Sequence, residues 1–356
     1  MIPAFANGSI ACTPGNFFRL LYADSTLNNL YGRGNSIHYE TAADRLGFLS
    51  TAKAFGLESP LGETTCDGGY FVYIARQEWA EMLGQADRSQ DILPGNFAAN
   101  ADWRRVTAFA DQWHAGNPLR NKLANGLWFE IDVCGPPSDV PVPSIFFGVK
   151  NVSVNESIAA IQQGLAALNI DLPAAQRDLL ITCLRTIGPL SASFQIGLML
   201  ARPASPLRLC AFKVGLPDIM DILRKLGITA LEDYHDFLQE FLHLGLECSA
   251  IDIDIGASFG TKAGIEVKFS SAATVREQQQ NQGWPAFLDR LVNKGCCLPP
   301  KSLAVLNWIG GHRYDPAPYD LGVPQKAILR TISHIKLDFQ PGFPLRAKAY
   351  LNYVVS

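Results

Sequence analysis

From about residue 120 onward this chain repeats one supersecondary unit: pairs of period-2 hydrophobic runs alternate with pairs of period-3.6 runs. Residues 127–133 (LWFEIDV) and 144–149 (SIFFGV) read as a strand pair joined by a Pro- and Gly-rich connection. Helices are predicted over 155–168, capped by Asn155, and over 173–187. The pattern returns with strands at 194–201 and 207–214 and helices near 218–226 and 231–244. It returns again with strands at 249–255 and 265–269 and helices near 274–294 and 301–309, and it closes on strands at 334–339 and 345–354.

Two of these pairs share residues as well as pattern. Residues 202–212 (RPASPLRLCAF) lie over 340–350 (QPGFPLRAKAY) with both prolines, the Leu-Arg step and the later Ala in register. Two antiparallel strands followed by two helices put the helices on one face of a sheet, and enough such units curl the sheet until its edges meet. The predicted fold is therefore α+β, an antiparallel β-barrel of repeated αββα units wrapped by an outer ring of helices. Residues 121–356 form the repeated barrel. Residues 1–120 read as a helical, loop-rich region that serves as a lid or as the first barrel unit.

In strands covered by helices, the apolar alternate residues face the helices and the others face the lumen. Leu127, Phe129, Ile131 and Val133 then point outward, leaving Trp128, Glu130 and Asp132 inside. The same rule sends Asp252 and Asp254 inward, and Lys336 with Asp338. The second strands add Arg208, Glu266 with Lys268, and Arg346 with Lys348, Tyr350 and Asn352. Charges held away from water must be paired or must bind something charged, so the lumen is either a structural ion-pair lattice or a site.

A ring of such units with a polar lumen, closed by a strand carrying Arg346, Lys348 and Tyr350, resembles the ABBA-type aromatic prenyltransferases, including the cyanobactin peptide branch. The resemblance covers roughly residues 120–356 and lies in architecture and strand chemistry. It implies that Arg208, Lys268, Lys336, Arg346 and Lys348 hold the diphosphate of an allylic donor. It implies that Tyr350 and Trp128 shield the allyl cation, and that Glu130 acts as the base for an electron-rich aromatic or peptide acceptor, with Asp132 and Asp254 as further catalytic carboxylates. Guanidinium and ammonium groups stabilise the charge that develops on departing diphosphate, an aromatic face stabilises the cation, and a closed barrel excludes water.

Five strand pairs are expected for closure and four are clear; the missing pair includes 70–75 (YFVYIA), although the residues after it read as helix. No tightly bound cofactor is expected. The aspartates outnumber what a diphosphate needs, which either implies Mg²⁺, held by Asp252, Asp254 and Asp338, or argues against that ligand. Two other readings remain open: an acid-initiated cyclase or isomerase with Asp132, Asp252 or Asp254 as general acid, and a non-catalytic barrel holding a small ligand among closed ion pairs.

Other signals carry less. The run Gly256–Lys262 has the wrong order for a phosphate loop and reads as a hairpin connection. Asp87 and Asp91 have the spacing of an allylic-diphosphate metal site but precede Pro94-Gly95 and read as a surface turn. His235 and His243 are helix-face residues, and His334 begins a strand near the lumen end, where it could titrate. Gly256-Ala-Ser-Phe-Gly260 spells G-x-S-x-G but reads as that same hairpin connection rather than as a strand-to-helix elbow, and no G-x-G-x-x-G sequence is present, which turns the reading away from hydrolases and dehydrogenases.

With 48% hydrophobic and 18% charged residues, the chain can bury a large core. Thirty Lys and Arg against 33 Asp and Glu give a net charge of −3 and no basic field for nucleic acid. Eight cysteines show no metal or disulfide spacing and read as reduced thiols. With no basic, apolar leader and no run long enough to span a membrane, the expected location is the cytoplasm.

Overall fold

A computed structural model describes residues 25–355 apart from 33–34, 50–51, 53, 65–67, 80–92, 94, 116–120, 134, 137, 151–152, 203–205, 229–233, 270–273 and 315–325. Asp87 and Asp91 lie outside the described residues. The strands are β1 (Ala54–Pro60), β2 (Gly68–Ala75), β3 (Leu123–Val133), β4 (Ser144–Lys150), β5 (Ser193–Met199), β6 (Leu207–Phe212), β7 (Glu247–Ile255), β8 (Phe259–Lys268), β9 (Gly310–Tyr314), β10 (Lys326–Phe339) and β11 (Arg346–Val355). They pair antiparallel in the order β11-β1-β2-β3-β4-β5-β6-β7-β8-β10-β9, and β10 also pairs with β11. The result is a closed ten-strand barrel, with β9 as a side strand on the first half of β10.

The fifth strand pair is β1 with β2. Residues 70–75 are strand rather than the start of a helix, and helix begins only at Arg76. Glu58 and Gly56 of β1 align with Tyr350 and Asn352 of β11, so the amino-terminal region carries the seam that closes the ring.

Helices follow each strand pair on the outside: α1 (Ser25–Tyr31), α2 (Ser36–Arg45), α3 (Gly95–Ala99), α4 (Ala101–His114), α5 (Val154–Ala167), α6 (Ala174–Ile187), α7 (Leu216–Lys225), α8 (His235–His243), α9 (Val275–Gln280), α10 (Gly283–Asn293) and α11 (Pro299–Trp308). The outward alternates of the strands merge with the apolar stripes of these helices into one buried layer. Trp103 and Phe109 of α4 meet Phe129 of β3 and Phe147 of β4 at ring separations of 6.1 and 5.4 Å. Trp284 of α10 lies 4.8 Å from Phe269.

Two helix expectations need correction. The cap of α5 is Ser153, whose hydroxyl accepts from the Glu156 amide, and Asn155 lies inside the helix, because only a residue before the first turn can satisfy its free N–H groups. The predicted helix over 274–294 is two helices: α9, opened by a capping box between Thr274 and Glu277, ends where Asn281 turns extended, and α10 starts at Gly283. Of the run at 256–262, residues 256–258 form the expected hairpin connection between β7 and β8, and residues 259–262 already belong to β8. Among the described residues no helix is long and apolar enough to cross a membrane.

Candidate active site

The barrel leaves a cavity of about 1020 Å³. Its walls carry inward residues that strand alternation singled out: Trp128, Glu130, Arg208, Asp252, Glu266, Lys268, Lys336, Tyr350 and Asn352. At one end it reaches the connection between β6 and α7, a mouth where Val214, Leu216, Leu242 and Leu246 stand beside Lys213, Glu247 and Lys268. β6 and β8 end at this mouth, while β7 starts there and runs away from it.

Four inward bases, and the exposed Arg202 in the turn after β5, are each held by a carboxylate. Lys348 Nζ donates to Glu58 Oε1 at 2.6 Å. Arg208 is bidentate on Asp254, at 2.8 and 3.3 Å. Lys262 lies 3.1 Å from Asp338, Arg202 Nε donates to Asp132 at 2.7 Å, and Lys336 pairs with Asp252. The Lys336 side chain reaches Asp252 by crossing β8 above Gly264, where an added Cβ would stand 2.6 Å from its Cε. Buried pairs of this kind satisfy each charge locally.

The aspartates predicted for Mg²⁺ do not assemble into a site. Asp252, Asp254 and Asp338 are bound to three different bases, and among the described residues no group of three acidic, His or Cys side chains is placed to hold a metal. Arg346 is likewise set apart from the other predicted diphosphate ligands. It opens β11, is exposed, and is absent from the cavity wall, because alternation along a strand assigns a face but not a depth. Lys348 shares its face but turns to Glu58.

Among the described residues two lumen carboxyls, Glu130 and Glu266, have no Lys or Arg within salt-bridge reach, Glu266 having only the His334 ring at 3.6 Å, and both face the cavity. Enclosure in the barrel, with the Glu58 charge nearby, pushes the Glu130 carboxyl up to about 7, against the opposing pull of Arg208 and Lys348. Enclosure and the Asp252 charge push Glu266 up to about 8, against Lys336 and Lys268. Glu58 shows the contrast: burial alone would raise it, but the Lys348 charge and the bonds from Lys348 and Tyr350 hold it at about 2. Burial holds His334 down at about 3, so its ring is neutral near pH 7.

Aromatic rings share the cavity wall with these charges. Phe71 lies 5.4 Å from Trp128 and 5.9 Å from Tyr350, and Tyr350 stacks on His334 at 4.3 Å with 18° between planes. Several of these rings fill the space that a side chain would occupy on the next strand. A Cβ on Gly56 would fall 1.9 Å from Phe71, and one on Gly197 2.3 Å from Phe146.

Glu58, Phe71, Phe146 and Ser333 belong to the site and were not singled out in the sequence. Glu58 sits in a strand buried on both faces, which erases the period-2 signal, and Pro60 at its end argues against a strand. His334 lies two residues before Lys336 on the same inward face of β10, and a bulge between Ile332 and His334 shifts the register against β11 so that Ser333 reaches the cavity as well.

No protein-family model matches the chain, and no curated protein matches it in sequence. Solved structures match it in shape. The apo form of the prenyltransferase PriB aligns over 96% of both chains with a TM-score of 0.52 at 11% identity. A 6-dimethylallyl tryptophan synthase aligns over 97% of both, with a TM-score of 0.50 at 14% identity. The 5-dimethylallyltryptophan synthase from Streptomyces coelicolor covers 95% of both at 13% identity, with a TM-score of 0.48. Such likeness defines the fold: the chain has the closed barrel of the ABBA-type prenyltransferases.

Proposed function

We propose that the protein transfers a prenyl group from an allylic diphosphate to an electron-rich aromatic acceptor inside the barrel. The observation that carries this reading is the mixed wall of the cavity, in which the rings of Phe71, Trp128, Phe146 and Tyr350 stand together with the bases Arg208, Lys268 and Lys336. An allylic diphosphate combines an apolar chain with an anionic head, and a closed barrel keeps water from its cation. The shared fold supports the reading by analogy, since PriB is described as a prenyltransferase and the second neighbour as a tryptophan-prenylating synthase rather than a cyanobactin peptide enzyme.

In this reading Lys268, Lys336 and Arg208 face the diphosphate, Trp128 and Tyr350 flank the cation, and Glu130 takes the proton that the acceptor ring releases. Asp132 and Asp254 act through Arg202 and Arg208, which they hold in place. No step involves Mg²⁺, because the three candidate aspartates are engaged by bases. We also assign the described part of residues 1–120 to the first barrel unit rather than to a lid, on the strength of the β1 and β2 pairing.

Calorimetric titration with dimethylallyl and geranyl diphosphate, with and without Mg²⁺ and against inorganic diphosphate, tests the reading. Prenyl-dependent binding that is equal with and without Mg²⁺ is expected; no heat from either donor would overturn it. A second reading, acid-initiated cyclisation, is favoured by the two unpaired carboxyls Glu130 and Glu266. It predicts turnover of a polyene that carries no diphosphate. The closed-lattice ligand binder is disfavoured by the same two carboxyls and by the open cavity.

A further inference from the structure

We propose that Glu266 is the general acid that protonates the departing diphosphate, acting from the wall opposite Glu130; the inference rests on the prenyl-transfer reading. Strand order supplies the first part of the case. Glu130 is on β3 and Glu266 on β8, and these strands stand five apart around a ring of ten, so the two unpaired carboxyls face each other across the cavity.

The second part is the state of the bases. Lys336 and Arg208, which face the cavity on the Glu266 side, are already held by Asp252 and Asp254. Fixed cations that are neutralised in this way stabilise a leaving dianion less than free ones do, and proton donation is the alternative means of stabilising it. Glu266 is placed to supply it. Lys336 is its register partner on β10 and Lys268 follows it on the same face of β8, so a phosphate group between these two ammonium groups lies over the Glu266 carboxyl.

The groups facing Glu266 are Asp252 and Cys248 from β7, His334 and Lys336 from β10, Arg208 and Cys210 from β6, and Lys268 from its own strand. His334 is fixed from two sides, by stacking on Tyr350 and by the Ser333 hydroxyl 3.0 Å from Nδ1. Its Nε2 is buried, has no hydrogen-bond partner, and points at Glu266 Oε1 from 3.6 Å. His334 is thus a positioning residue that limits where the carboxyl can turn. With enclosure and Asp252 raising Glu266 to about 8 and Glu130 lower at about 7, the acid and the base hold the protonation states their tasks require between those values.

The step balances. The C1–O bond of the donor breaks with its electron pair leaving on the diphosphate oxygen, and the Glu266 proton moves to a diphosphate oxygen. The acceptor ring carbon bonds to C1, and the proton at that carbon passes to the Glu130 carboxylate. Glu266 ends ionised and Glu130 protonated, and exchange with water through the mouth restores both.

The experiment is steady-state and single-turnover release of diphosphate from dimethylallyl diphosphate, with L-tryptophan as the probe acceptor, for wild type and Glu266→Gln across pH 6–10. Calorimetry of donor binding by the variant reports that the barrel is folded. The expected result is a kcat lower by about 10²–10³-fold, a donor Kd within about threefold, and loss of the decline in rate above about pH 8. A donor carrying the less basic difluoromethylenebisphosphonate in place of diphosphate is expected to narrow the gap between variant and wild type. Retention of kcat, or a loss confined to donor affinity, overturns the acid role alone. A wild-type protein that neither binds nor cleaves the donor overturns prenyl transfer and the acid role together.

Discussion

Lys348 and Glu58 join the last strand of the barrel to the first: Nζ donates to Oε1 at 2.6 Å, and the Tyr350 hydroxyl donates to the other oxygen of the same carboxylate. A buried carboxylate with two donors holds the seam between β1 and β11 by side chains as well as by the ladder. Glu58→Gln leaves Lys348 without its counter-charge and should cost about 3 kcal/mol at pH 7, read by urea unfolding. The sign with pH follows from the depressed folded pKa of about 2. The contribution is complete above the unfolded value, near 4.5, and disappears as pH falls toward 2, so wild type and variant should converge there. A constant difference from pH 7 to pH 2 would refute the pairing.

Glu130 must be ionised to accept a proton, and its carboxyl is held up at about 7 by enclosure and the Glu58 charge. With the donor saturating, kcat should rise with pH through about 7, ahead of the decline above about 8 that follows loss of the Glu266 proton. Glu130→Gln should lower kcat by about 10²–10⁴-fold and leave donor affinity within about threefold. A variant that binds donor tenfold more weakly and turns over normally would assign Glu130 to binding.

How much of this was legible in one dimension depends on what each signal encodes. Alternation in LWFEIDV and in SAIDIDI gave the lumen face correctly, because one side of each strand packs on helices. The strand AFGLESP gave no such signal, since it is buried on both faces, and Glu58 stayed hidden with it. Arg346 and Lys348 looked equivalent because a face assignment carries no depth. The pairing of Arg208 with Asp254 depends on the register of β6 against β7, a property of two distant segments that neither sequence states alone. Ser333 reaches the cavity only through a bulge, which no alternation reading contains.

Gly264 is the pass over which Lys336 reaches Asp252. In Gly264→Ala the new methyl would stand 2.6 Å from Lys336 Cε and 3.2 Å from Asp252 Cβ, so the lysine must leave its partner. Asp252 then remains buried beside Glu266 with its charge uncompensated. The variant should lose about 2–4 kcal/mol in urea unfolding. The fall in rate that follows loss of the Glu266 proton should also move to higher pH, because a like charge nearby that is no longer neutralised favours the protonated carboxyl. An unshifted pH profile with a normal unfolding midpoint would show that the pair is dispensable.

Phe146 occupies lumen space because its register partner on β5 is Gly197, and the ring lies flat across the gap that the missing side chain leaves. A methyl at Gly197 would fall 2.3 Å from the ring, whose only free direction is into the cavity that it already lines. The backbone of β5 can stay in place, so the cost should appear in the site and not in the fold. Gly197→Ala should therefore raise the KM for an aromatic acceptor about tenfold while the donor Kd, measured by calorimetry, changes less than threefold. Phe146→Ala in the same background removes the displaced ring and should restore acceptor binding. Failure of that second substitution to recover KM would mean that Phe146 is not part of the acceptor wall.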